Sequence, residues 1–131
     1  MPNDLDLITQ LEQEIGSEKI VRLKKFHSWS ITGYIIDDNQ QVVGLSLNEL
    51  ALNFVPQTIF QLTNLKVLDL SENRLTTLPP EIIQLKSLKI LNLEKNPLKQ
   101  PPPEIVAKGI TAIFEYLWQL AGALLIIAKR S

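Results

Sequence analysis

The 131 residues carry 13 Lys+Arg against 14 Asp+Glu, a formal net charge of −1 with His27 neutral, and 45% of them are apolar. That is length and apolar content enough for one domain with its own core, while the balanced charge offers no field for nucleic acid or an anionic membrane. With no Cys in the chain, a disulfide framework and Cys-ligated zinc or iron–sulfur sites are excluded, and a reducing compartment is suited.

From the N-terminus, MPNDLDL is acidic and lacks the basic n-region of a signal peptide, so a cytoplasmic protein is expected. Leu5, Ile8, Leu11 and Ile15 recur at helical spacing behind Asn3 or Asp4 as N-cap, which predicts a helix over 3–15. Gly16-Ser17 ends it, and Ser17 can cap a second helix over 18–26 with Ile20, Leu23 and Phe26 turned inward. Lys19, Arg22, Lys24 and Lys25 then oppose Asp4, Asp6, Glu12, Glu14 and Glu18 on the preceding helix, a self-complementary cap surface rather than an anion site. His27, the only His, has no motif that supplies a nucleophile and an orienting acid, and is read as a helix-end or cap residue. An apolar run ending in Tyr34-Ile35-Ile36, the turn cluster Asp37-Asp38-Asn39-Gln40 and a second apolar run predict a hairpin over 34–47. The turn lacks the spacing and closing Glu of a calcium loop, so it is read as a plain turn.

The next stretch repeats with a period of 23. Of 23 Leu and 15 Ile in the chain, many fall into columns when 42–64, 65–87 and 88–110 are set one above another. Leu45, Leu68 and Leu91 align, as do Leu47, Leu70 and Leu93, then Leu52, Leu75 and Leu98. Pro56, Pro79 and Pro102 form a column, followed by Ile59, Ile82 and Ile105. Alternation in Leu68-Asp69-Leu70 and Leu91-Asn92-Leu93 predicts short strands with leucines inward. Such strands cannot bury their apolar face alone, so successive units must stack. The prolines cannot donate into a ladder and belong on the return stretch. Asn73 and Asn96 stand where the chain leaves the strand, and their amides can satisfy buried backbone groups of the turn and of the next unit. The first unit has Leu50 in that column, so the Asn ladder begins at the second.

After the repeats, Pro101-Pro102-Pro103-Glu104 leads into a helix whose Ile110, Ile113, Leu117 and Leu120 form a core-facing stripe. Leu120 to Ala128 stays apolar and either continues this capping helix or supports self-association. Glu115 and Gln119 inside any membrane span raise its insertion cost, so a membrane anchor is not expected.

The pattern L-x-x-L-x-L-x-x-N-x-L-x-x-L-P-x-x-I-x-x-L resembles the leucine-rich repeat family, in a form similar to its 23-residue intracellular Ras-binding subtype. The Pro101-Pro102-Pro103-Glu104-Ile105-Val106 string and the Tyr116-Leu117 pair resemble the C-terminal cap of bacterial Roco-type repeat proteins. The resemblance implies an α/β solenoid with a parallel concave sheet: N-terminal cap 1–41, three repeats over 42–110, and a capping helix over 104–131 that overlaps the last repeat. It implies a non-enzymatic protein-interaction module, an adaptor or scaffold in signalling, with a small GTPase as one partner by family analogy. The GTPase domain that follows the repeats in Roco-type proteins is not in this sequence, and the isolated glycines form no phosphate cradle, so no cofactor is expected. The alternatives are a recognition role beside a catalytic domain encoded elsewhere and a membrane-tethered module that uses the apolar C-terminal tail.

From the register, the outward positions of the concave face are Ser46, Asn48 and Glu49 beside Gly44 in the first unit, Val67, Asp69, Ser71, Glu72 and Arg74 in the second, and Ile90, Asn92, Glu94 and Lys95 in the third. Three strands at about 4.8 Å spacing present on the order of 250 Å². A standard interface takes about 800 Å² from each side, so a tight complex must also use the caps or loops.

Overall fold

The computed structural model describes residues 3–16, 20–24 and 32–130, with 123–130 as backbone. Helix α1 spans Asp4–Ile15 and is capped by Asn3, whose side chain accepts from the Asp6 N–H while the Asp6 carboxylate accepts from the Asn3 N–H. This reciprocal arrangement satisfies donors that the first helical turn cannot pair internally. Leu7, Ile8 and Leu11 are its buried side chains; Leu7, outside the expected stripe, packs more deeply than Leu5.

Five strands form one sheet in the order β1 (Val21–Arg22), β2 (Gly33–Ile36), β3 (Val42–Ser46), β4 (Val67–Asp69), β5 (Ile90–Asn92). The helix expected over 18–26 is corrected where it can be seen: Val21 and Arg22 pair in parallel with Gly33 and Tyr34. A tertiary partner decides this segment. The Glu12 carboxylate accepts from the Ile20 N–H at 2.7 Å and holds the chain extended beside α1. The expected inward residue Ile20 is buried; Phe26 and His27 lie outside the described residues. The predicted hairpin is present, with β2 and β3 antiparallel and a bulge between Ile35 and Ile36. Its turn is closed by Asp37, whose Oδ1 accepts from the Asn39 and Gln41 N–H groups.

β3, β4 and β5 are parallel with a register of 23: Gly44↔Val67↔Ile90, Leu45↔Leu68↔Leu91 and Ser46↔Asp69↔Asn92. The leucine columns line the core, and Leu45, Leu47, Leu68, Leu70 and Leu75 are fully buried. On the return side, Gln57–Gln61 and Pro80–Gln84 each make a single 3-10 turn after the column proline. In the third unit the same place is taken by the short helix α2 (Pro103–Val106), and α3 (Ile110–Arg130) follows. The single capping helix expected from 104 is thus two helices. Gly109 separates them at φ 99°, in the left-handed region where a side chain is strained. α3 packs on α2 and on the 80–84 turn through buried Ile113 and Leu117. It runs through Gly122 as one element. Among the described residues no helix is long and apolar enough to cross a membrane.

Candidate functional site: the concave face and its turn edge

Two rows of polar residues decide what the concave face can offer. The first follows the strands. Asp69 is 0% exposed, and Ser46, Asn48 and Ser71 are buried beside it. This corrects the expectation that these four point to solvent. Asp69 turns its Oδ1 to the Ser71 N–H at 2.9 Å, and its Oδ2 receives the Ser46 hydroxyl at 3.4 Å. One turn later Asn92, half-buried, accepts from the Glu94 N–H at 3.1 Å in the same way. Short acceptors at this column close the turn at the strand end, since an Asp or Asn side chain reaches a backbone N–H two residues on. Their side-chain oxygens hold the turn that follows each strand.

Asn73 and Asn96 form the second row. The Asn73 amide donates to the carbonyls of Leu47, Leu70 and Ser71, and its Oδ1 accepts from the N–H groups of Leu50 and Leu52. Asn96 repeats this with Leu70, Leu93, Glu94 and the Leu75 N–H. The expected satisfaction of buried groups is present, but the cross-unit bonds run back to the preceding unit rather than forward to the next. Among the described residues, no buried polar side-chain atom lacks a partner.

What is left on the surface is a narrower set. Ile90 is 48% exposed and Val67 half-buried, an apolar pair on neighbouring strands. Lys66 and Lys89 are exposed just before β4 and β5, while Arg74 and Glu94 are exposed past the strand ends. Glu49, Glu72 and Lys95 make a column one period apart, each with φ between 55° and 59°. The left-handed backbone there brings the three side chains to one edge, where they line a shallow depression with Ala51, Asn73 and Arg74. Lys95 Nζ lies 3.1 Å from Glu72 Oε1, the one ion pair among the described residues. Hydrogen bonding and repulsion from Glu72 hold the Glu49 carboxyl above its ordinary 4.5, so Glu49 keeps its proton to higher pH. Glu72 lies below 4.5, stabilised as a carboxylate first by Glu49 and then by Lys95.

The cap surface also departs from expectation. The acids of α1 serve backbone donors, not cations: Asp4 accepts from the Val42 N–H at 2.7 Å, Glu12 from Ile20, and Glu14 from the Thr58 N–H and hydroxyl. Arg22 and Lys24 are exposed and make no ion pair with them; Lys19, Lys25 and Glu18 lie outside the described residues. The signal for this tethering was present in the sequence as acids spaced along one helix, but their partners lie up to 44 residues away.

A family profile described as leucine rich repeat matches residues 40–98, the stretch that holds β3, β4, β5 and both Asn turns. Such repeats generally mediate protein–protein interaction. A comparison with curated proteins finds no match to the chain.

Proposed function

We propose that this chain is a non-enzymatic protein-interaction module, an adaptor or scaffold in cytoplasmic signalling, that receives its partner on the exposed part of the concave face. The observation that carries this is the juxtaposition of Val67 and Ile90, apolar and accessible, with charged side chains on both sides. A small apolar centre with a charged rim is the composition of an interaction patch. Lys66 and Lys89 border it at the strand starts; Glu72, Arg74, Glu94 and Lys95 border it at the strand ends. Buried Ser46, Asn48, Asp69 and Ser71 support the backbone beneath, so the contact set is smaller than the register suggests. The patch falls short of a standard interface, and a partner must reach beyond it, for which the depression at Glu49, Ala51 and Arg74 is contiguous. The resemblance to the Ras-binding subtype makes a small GTPase the first candidate to try.

The experiment is affinity capture from native lysate with the wild-type chain, followed by two variants. Val67→Asp and Arg74→Glu alter accessible positions of the patch and should release the captured protein while the circular dichroism spectrum stays unchanged. Retention by both variants, with loss on Lys24→Glu, would place the binding surface on the N-terminal cap.

A further inference from the structure

We infer that the outer edge of β5 is an interface through which two copies of this chain pair about a two-fold axis. Within the array, each turn passes a fixed set of backbone groups to the next. The N–H groups of Leu47 and Leu70 donate to the carbonyls of Asp69 and Asn92, and those of Glu49 and Glu72 donate to Ser71 and Glu94. The carbonyls of Val43 and Lys66 accept from Lys66 and Lys89. One period on, the same groups are the Leu93 and Lys95 N–H and the Lys89 carbonyl. None of these three has a hydrogen-bond partner among the described residues. They form a row that fits a strand, because strands are what fill it in the two turns before.

α3 does not occupy this row. It lies on the return side, against α2 and the 80–84 turn. Burial of the columns agrees: Leu91 is half-buried where Leu45 and Leu68 are fully buried, and Ile90 is 48% exposed where Gly44 is buried. An open ladder beside accessible apolar side chains is a template for pairing.

Charge selects the occupant. β5 begins beside exposed Lys89 and ends beside exposed Glu94. Antiparallel pairing with a second copy sets the basic end of each strand against the acidic end of the other, twice by symmetry. Strands of three residues bury little area, so the dimer is weak.

Sedimentation equilibrium of the full chain should show a monomer–dimer equilibrium. Lys89→Glu and Glu94→Lys should each raise the dimer Kd about tenfold, since two like-charge contacts replace two favourable ones. Melting of the monomer should not change, because both residues are exposed. The double variant restores the match with the signs exchanged and should recover the wild-type Kd. A monomer at every concentration overturns the proposal, and so does a double variant as weak as the single ones. A dimer that ignores both reversals but dissociates when 121–131 are deleted would assign the interface to the tail instead.

Discussion

Asn73 makes five hydrogen bonds with one amide, all to backbone groups of two successive turns. Asn73→Ala leaves those groups unpaired in a buried place and should cost about 1–3 kcal/mol. Gln84→Ala, at an exposed position, should cost under about 0.5 kcal/mol; equal urea midpoints for the two variants would contradict the ladder. Asp69 follows the same logic on the strand side. Its charge is not displayed to a partner, so Asp69→Lys should unfold the turn at Ser71 and lower stability by at least about 2 kcal/mol. Asp69→Asn keeps the acceptor that Asn92 already uses one period later and should melt close to the wild type. The Glu49–Glu72 pair gives a pH signature at the same scale. Glu49 has its folded pKa raised, so its contribution to stability is full below 4.5 and fades as pH climbs through the raised value. Glu72 is lowered, so its contribution is present above 4.5 and is lost as pH falls through the lowered value. Carboxyl carbon NMR should show the two titrating on opposite sides of 4.5, and Glu72→Gln should bring Glu49 down. Unmoved Glu49 in that variant would contradict the pairing.

At the level of elements, β1 and β2 meet so closely that one hydrogen matters. A Cβ added at Gly33 would lie 2.5 Å from the Leu23 Cδ1 and 2.7 Å from the Val21 carbonyl oxygen. The oxygen is backbone and cannot rotate away, so Gly33→Ala should separate β1 from β2 at a cost of about 1–3 kcal/mol. Gly122 is the contrast: a Cβ there meets nothing within 4 Å. Gly122→Ala should stabilise α3 by up to about 1 kcal/mol, read as a raised melting temperature. Neither close approach nor open space is written in the local sequence, and this marks where sequence reading stops. The period of 23 specified which leucines meet and in what register, because stacking units must bury the same columns. Capping chemistry located the start of α1, and the turn cluster located the hairpin. Residues 20–24 are ambiguous in the sequence because Ile20 and Leu23 fit a helical period as well as an extended chain. The partner that decides between them, Gly33–Tyr34, is more than ten residues downstream. For the site, period-2 alternation gave the side of the sheet but not the depth. The usable signal is chemical: Asp69 and Asn92, each two residues before a turn N–H, are acceptors for that turn, whereas Val67, Ile90 and Glu94 have no such use.

Among the described residues the repeat turns follow one another in a single direction, β3 to β4 to β5, so stability need not be uniform along the array. The first turn is covered by α1 and the hairpin, the second lies between two turns, and the third has α3 on its return side alone. The same column records the difference: Leu45 and Leu68 are fully buried, Leu91 half-buried; Ile59 and Ile82 are fully buried, Ile105 half-buried. Leu68→Ala should therefore cost about 2–5 kcal/mol, since the cavity it leaves is enclosed on every side. Leu91→Ala should cost visibly less, because its site is already partly open and can collapse. Native-state hydrogen exchange should follow the same gradient, with the amides of β4 slowest and those of Leu93 and Lys95 exchanging through small local openings. Dimerisation at the β5 edge adds a concentration dependence that a simple fraying end lacks. Raising the protein concentration should slow Leu93 and Lys95 selectively and leave β4 unchanged. Uniform exchange across the three turns, with equal losses for the two Leu→Ala variants, would mean that the array opens as one unit and that burial at its C-terminal end does not set where opening begins.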